Sequence, residues 1–229
     1  MSETEIGTVI VTGAASGLGR AIAEAVKGAG GEPVGLDIQG ADGIESELVD
    51  LADSAAAEAA TTRAIERHGG LDAVVAAAGT DSCGPLERIS GEDWNRVIAV
   101  NLMGTAAVVR AALPALERSR GRVITIASTL GVRGVPDATA YCASKFGVVG
   151  FSRALAAETA GRIGVTLLMP GGMRTAFFDG REEQYKPPAD AKLAPPEEVA
   201  EAALFALSRP AGIELREALV APSTESSWP

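Results

Sequence analysis

Residues 6–19, Ile6-Gly7-Thr8-Val9-Ile10-Val11-Thr12-Gly13-Ala14-Ala15-Ser16-Gly17-Leu18-Gly19, decide the fold class. Ile6 to Thr12 is a short apolar run rich in β-branched residues, the composition of a buried strand. It breaks into glycines spaced G-x-x-x-G-x-G, and an Ala-rich helical pattern follows from about Arg20 to Lys27. Strand, glycine turn and helix in that order form a cradle for a phosphate. Gly13, Ser16, Gly17, Leu18 and Gly19 bring backbone amides to a helix N-terminus, where the dipole favours negative charge. The spacing departs from the common G-x-G-x-x-G, yet the flanks are those a dinucleotide loop requires. The expectation is an α/β protein, doubly wound, with a mostly parallel sheet and helices on both faces.

A chain of 229 residues with no repeat, linker or compositional break reads as one domain over 1–229. Hydrophobic residues make up 47% and aromatics 4%, so the core must be built from Ala, Val, Leu and Ile. A net charge of -10 argues against nucleic acid or an anionic membrane as partner. Two cysteines, Cys83 and Cys142, are too few for a disulfide framework and fit a reducing compartment. The N-terminal segment is acidic, unlike a signal peptide, and no apolar run of membrane-spanning length escapes interruption by Gly or charge. A cytoplasmic location follows as an expectation.

Pro33 to Leu36 reads as a second strand ending at Asp37, about 20 residues beyond the glycine loop. An acid there suits a pair of ribose hydroxyls and repels a 2′-phosphate, which points to NAD over NADP. Glu45 to Val49 is a brief third strand ending at Asp50-Leu51, and Asp53 is a candidate N-cap for a helix from Ser54 to about Arg67. The sole histidine, His68, closes that helix with Gly69 and reads as a cap rather than a catalyst. Leu71 to Ala78 is an apolar run of the kind buried on both faces, ending at Gly79. Ser90 and Asp93 have capping-box spacing at the start of a helix to about Glu117. Asn101 lies inside that helix, where a water-binding role, a local bulge or an ordinary interhelical contact would each account for it. Arg122 to Ala127 is a strand that delivers Ser128 at its C-terminal end, the edge where ligands bind in open α/β sheets.

Thr139 begins a helix to about Ala160 that carries Tyr141 and Lys145, four residues apart and therefore on one face. A phenol has an ordinary pKa of about 10 and needs a shift of roughly three units to work near neutrality. An ammonium one turn away is a direct source of that shift, and Ser128 could hold a substrate oxygen meanwhile. Ile163 to Met169 is a sixth strand closed by Pro170-Gly171-Gly172, and Leu215 to Val220 a last one. Between them, about 172–194 lacks periodicity, as a substrate loop would.

In this order the motifs closely resemble the short-chain dehydrogenase/reductase family of Rossmann-fold oxidoreductases. The resemblance implies that the Thr12-Gly13-x-x-x-Gly17-x-Gly19 loop binds the cofactor, that Asp37 selects NAD(H), and that Asp50-Leu51 meets the adenine. Ala78 and Gly79 would line the cofactor, and Pro170-Gly171-x-Met173-x-Thr175 would reach the nicotinamide carboxamide. Asn101, Ser128, Tyr141 and Lys145 would form the catalytic tetrad. Tyr141 would be the general acid and base, Lys145 would lower its pKa and hydrogen-bond the nicotinamide ribose, Ser128 would hold the substrate oxygen, and Asn101 would position a water for proton relay to Lys145. Tyr141 and Lys145 would thus also touch the cofactor. No metal is implied.

Three departures stand out. Ala76-Ala77-Ala78-Gly79 replaces the family's frequent Asn-Asn-Ala-Gly, the Asp37 to Asp50 segment is too short for the usual helix, and the C-terminal tail lacks the common Asp-Gly-Gly. The expected reaction is interconversion of a small secondary alcohol and a ketone. A nucleotide-sugar dehydratase or epimerase, and a non-catalytic NAD-binding regulatory protein, are the alternatives. Leu130, Phe177, Cys83, Val132 and Phe178 suggest an apolar wall for the substrate, although loop residues could equally face solvent or a partner chain. The long helices resemble those packed in family homodimers and homotetramers. Val148, Phe151 and Leu155 fit either such an outer face or packing on the chain's own sheet.

Overall fold

The computed structural model describes residues 6–228. Seven strands form one sheet in the order β3-β2-β1-β4-β5-β6-β7, every neighbouring pair parallel. They are β1 (Thr8–Thr12), β2 (Glu32–Asp37), β3 (Glu45–Leu48), β4 (Ala73–Ala76), β5 (Arg122–Ile126), β6 (Gly164–Pro170) and β7 (Glu217–Val220). Parallel strands need crossover helices, and these cover both faces. Helices α1 (Gly17–Gly28) and α6 (Pro196–Leu207) pack on one face, sharing a core cluster with Val9, Val11 and Val75. Helices α2 (Ser54–His68), α4 (Thr105–Ser119) and α5 (Thr139–Glu158) pack on the other, around Ile10, Val34, Val74 and Val123. Alternate residues of β1, Ile10 against Val9 and Val11, thus feed opposite cores.

The chain winds outward from β1 to β3 and then returns to add β4 on the other side of β1. The β1/β4 boundary is a topological switch point, where neighbouring crossovers diverge and leave a crevice beyond the strand ends. Local chemistry agrees with the expected boundaries. Asp53 caps α2 by accepting from the Ala56 amide, and Gly69 ends it in the left-handed region at φ 70°. Ser90 caps α3 (Gly91–Ile98) by accepting from the Asp93 amide, and its hydroxyl donates to the Asp93 carboxylate at 2.6 Å.

The expected helix from Gly91 to Glu117 is three pieces rather than one. Between α3 and α4 the backbone widens into a π-helical segment, Ala99–Gly104, which contains Asn101. A π-bulge of this kind redirects side chains within an otherwise continuous helix. The residues Gly91–Ser119 contain a window with mean hydropathy 1.6, long and apolar enough on paper to cross a membrane, and Gly104 interrupts it as the sequence reading expects of any such run. Here its apolar residues Val108, Val109, Ala112 and Leu116 belong to the sheet-facing core. Val148 and Leu155 of α5 are likewise buried and Phe151 packs on that core, so these residues face their own sheet. The described surface keeps Phe146 and Met103 exposed instead.

Gly104 sits where the π segment touches the end of β3's exit loop. A Cβ there would lie 2.7 Å from the Leu51 carbonyl oxygen and 2.9 Å from the Leu51 Cβ. Gly104→Ala is therefore expected to lower stability by about 1–3 kcal/mol through overpacking, measured as a shift in the urea midpoint at unchanged slope.

Candidate active site

At the C-terminal edge of the sheet a crevice of about 1020 Å³ runs across the switch point. Of the site residues expected from sequence, all but Thr12, Asn101 and Val132 line it. At one end the glycine loop approaches the exit of β4 so closely that a Cβ on Gly13, whose φ is 72°, would lie 2.9 Å from Ala78 Cα. A Cβ on Gly19 would collide with the Gly13 carbonyl oxygen. Thr12 Oγ1 accepts from the Ala78 amide at 2.9 Å, tying the two strands together where the family's frequent Asn pair is missing. Ser16 occupies the N-cap of α1 without a side-chain cap bond, and no acidic residue stands in the first turn. The helix N-terminus thus keeps its amides for an external anion. A dinucleotide fits this cradle.

Asp37 ends β2 with Oδ2 accepting from the Ala15 amide at 3.0 Å and Oδ1 from the Gln39 amide at 3.2 Å. Asp50 accepts from the Ala52 amide and pairs with Arg96 at 3.1 Å, so its carboxyl sits below its ordinary range, the amide hydrogen bond being the main cause. The cation on this side of the crevice is therefore already matched.

At the other end β5 delivers Ser128 in extended conformation, where its Oγ accepts from the Leu130 amide and opens a 3-10 turn. Lys145 is 4% exposed, and its Nζ donates to the Ile126 carbonyl oxygen at 2.9 Å. The same Nζ lies 5.6 Å from the centre of the Tyr141 ring. Burial pulls the Lys145 amine down to about 8, while the Asp81 carboxylate works in the opposite direction. Burial pushes the Tyr141 phenol up, and the Ser128 hydroxyl beside it works against that rise without cancelling it. The expected lowering of Tyr141 by Lys145 is not met in this arrangement. Desolvation is the largest influence on the phenol, and the groups that work against it are Ser128 and Arg181 rather than Lys145.

Asn101 is 1% exposed and does not reach the crevice surface. Its amide forms a two-way bridge to Thr80, accepting from that N–H at 2.8 Å and donating to its carbonyl at 2.9 Å. It also donates to Ser144 Oγ at 3.0 Å. The side chain holds the exit of β4 to α5, and the π-bulge aims it there. Both Asn101 Oδ1 and Lys145 Nζ lie within 4 Å of the point a Gly79 Cβ would occupy, at 3.6 and 3.7 Å.

Several pairings among crevice residues escaped the sequence reading. Asp81 and Arg181 form an ion pair at 2.8 Å with side chains only 6% and 16% exposed, and the guanidinium lies against the rings of Phe177 and Phe178. Phe177 in turn packs 5.6 Å from Tyr141. The Asp81 carboxylate also receives the Cys83 thiol, whose pKa is pushed up to about 12 by burial and by that hydrogen bond. Tyr185 donates to Asp137 at 3.4 Å. Val132, expected in the substrate wall, packs instead against Ala127, Val148 and Met169. The irregular tail folds back, and Thr224 to Ser227 line the crevice.

With this geometry in hand, known proteins provide a frame. Residues 7–186 match the family model described as short chain dehydrogenase. D-threitol dehydrogenase of Mycolicibacterium smegmatis is 37% identical, the alignment spanning 87% of this chain and 85% of that protein. The 3-oxoacyl-[acyl-carrier-protein] reductase of Escherichia coli is 34% identical over 72% of this chain and 73% of its own. Among solved structures, aldohexose dehydrogenase of Thermoplasma acidophilum superposes with a TM-score of 0.87 at 27% identity, covering 96% of this chain and 95% of that one. An alcohol dehydrogenase of the archaeon Thermococcus sibiricus, complexed with 5-hydroxy-NADP, gives 0.83 at 26% identity over 93% and 95%.

The lowered amine carries a pH signature. Lys145 has a folded pKa near 8 against an ordinary 10.5, so the unfolded chain binds more protons between those values. The burial cost is fully present below pH 8 and is relieved as pH rises toward 10.5. In urea titrations, wild type should gain roughly 3 kcal/mol on Lys145→Met between pH 7 and pH 10, less what relaxation of the site recovers.

Proposed function

The chain belongs to the short-chain dehydrogenase family, and from that premise we propose that it is an NAD(H)-dependent oxidoreductase interconverting a small secondary alcohol and a ketone. The observation that carries this reading is the convergence of Ser128, Tyr141 and Lys145 on the crevice that the glycine loop opens onto. The nicotinamide dinucleotide, when bound, supplies the hydride chemistry. The chain supplies orientation and the proton. Ser128 Oγ donates to the substrate oxygen, and Tyr141 Oη gives its proton to that oxygen in reduction and takes one back in oxidation. Burial keeps Tyr141 neutral, which suits the acid role directly. The base role requires more positive charge beside the phenol than Lys145 alone provides. The shared proximity of Asn101 Oδ1 and Lys145 Nζ to Gly79 supports a proton relay through water behind the lysine.

Preference for NAD(H) rests on Asp37. Its carboxylate accepts one amide on each oxygen and retains lone pairs for ribose hydroxyls, while repelling a 2′-phosphate. NADP(H) is the competing reading, favoured by the solved relative complexed with 5-hydroxy-NADP. For assembly we propose a homodimer or homotetramer, supported by exposed Phe146 and Met103 on neighbouring helical segments.

Followed through nicotinamide absorbance on a panel of secondary alcohols and ketones, Tyr141→Phe should lose about 100- to 10,000-fold in kcat. A variant that turns over at the wild-type rate would remove Tyr141 from the reaction. Asp37→Ser should weaken NADH binding by about 1.5–3 kcal/mol, roughly 10- to 150-fold in Kd, and narrow the gap to NADPH. Tighter wild-type binding of NADPH than of NADH, by fluorescence titration, would overturn the NAD assignment.

A further inference from the structure

After β7 the chain does not leave the molecule. It turns at Pro222–Glu225 and lies across the mouth of the crevice. Three contacts strap it down. The Glu225 carboxylate accepts from the Gly172 amide at 2.8 Å, Ser227 Oγ shares a hydrogen bond with Thr129 Oγ1 at 2.6 Å, and Arg133 donates to the Ser226 carbonyl at 2.6 Å. Thr129 follows Ser128 directly, and Gly172 follows the Pro170-Gly171 turn, so the strap joins both walls of the substrate end. Glu225 packs so tightly over Gly171 that a side chain there would overlap Ala221 and the carboxylate.

Glu225 is only partly buried and is in no ion pair among the described residues. Burial opposes its ionisation, but the Gly172 amide, the Ser227 hydroxyl and amide and, least, the Ser226 amide prevail and hold the carboxyl below its ordinary range. Oε1 accepts from the Ser227 amide and hydroxyl at 3.0 and 2.7 Å, whereas Oε2 accepts only the Gly172 amide. A carboxylate offers about four acceptor positions, so one remains on Oε2. The other charges at this end give an anion little to hold. Arg181 is committed to Asp81, Arg133 donates to the Ser226 carbonyl from outside the crevice lining, and Lys145 donates to the Ile126 carbonyl. Asp137 adds negative charge, and Lys192 of the substrate loop is exposed and screened by water.

Resting on the oxidoreductase reading above, we propose that Glu225 is a specificity-determining residue. Its carboxylate accepts a hydroxyl hydrogen of a neutral polyol and turns away substrates bearing a carboxylate or phosphate. The Ser227 and Thr129 hydroxyls beside it extend the acceptor surface toward the reacting carbon. An apolar wall of Phe177 and Leu130 faces the carbon skeleton.

The test compares wild type with Glu225→Gln, which keeps the shape and an acceptor oxygen for Gly172 while removing the charge, and with Glu225→Asp as a second variant. Xylitol and erythritol are assayed against cyclohexanol and 3-hydroxybutyrate with NAD, and xylitol binding is measured by calorimetry on the same proteins. The expected result is a fall in kcat/KM for xylitol at least 10-fold larger than for cyclohexanol, mostly in KM, with relative gain on 3-hydroxybutyrate and partial rescue by Asp. An equal loss on every substrate would make Glu225 a tether only and overturn the inference. Wild type that oxidises cyclohexanol but neither oxidises nor binds a polyol overturns it too, and leaves the oxidoreductase reading intact. Wild type that oxidises no alcohol counts against that earlier reading. Xylitol binding then decides this one: saturable and weakened by Glu225→Gln upholds it, and its absence sinks it.

Discussion

The site depends on how closely two parallel strands can bring their exits together at the switch point. Gly13 has no Cβ to hold the β1 loop off Ala78, and Thr12 fastens the two exits with a single hydrogen bond. From that point α1 departs over one face of the sheet and α4, which follows β4, packs on the other. The floor of the crevice is consequently backbone, made of amides and glycines that can meet a pyrophosphate at contact distance. Ser128, Tyr141 and Lys145 reach this floor from further along the same edge, from the exit of β5 and from the N-terminal end of α5. Loss of the close approach would widen the crevice and separate the two groups of residues together.

Burial of Lys145 is the second constraint, and it works against the simplest account of the tyrosine. An amine one helical turn from a phenol does lower its pKa in water-exposed settings, but here Lys145 is buried and Tyr141 is half-buried in the crevice wall. Each pays desolvation, so the amine moves down and the phenol moves up. The carbonyl of Ile126 gives the amine one acceptor and fixes its direction. The geometry is therefore pre-set while the charge state is not. Positive charge entering the crevice would act at low effective dielectric, where its influence on a buried phenol is large.

Much of this was legible in the sequence because it is local. Strand, glycine loop and helix are adjacent in the chain, Asp53 and Ser90 cap the residues just after them, and Tyr141 and Lys145 share one helical turn. Asn101 was legible as an anomaly, an amide inside an apolar helix, but its partners Thr80 and Ser144 lie 21 and 43 residues away. No spacing rule connects them. The π-bulge that aims it is a backbone property decided by packing. Asp81 and Arg181 are 100 residues apart, and the tail contacts Thr129 across 98. Such pairings arise between loops, where composition carries no period and each partner alone reads as a solvated charge or an irregular end.

The Asp81–Arg181 pair gives those loops a common purpose. A buried ion pair is weak support for stability, because desolvation offsets most of its attraction. Its value here lies in direction. A guanidinium is planar, so Arg181 can hydrogen-bond Asp81 through one edge while its flat faces meet Phe177 and Phe178. A lysine could supply the charge but not the stacking. Phe177 is thereby held 5.6 Å from the Tyr141 ring, which covers one side of the phenol with apolar surface. The segment around 172–194 thus shapes the chemistry through the dielectric it imposes.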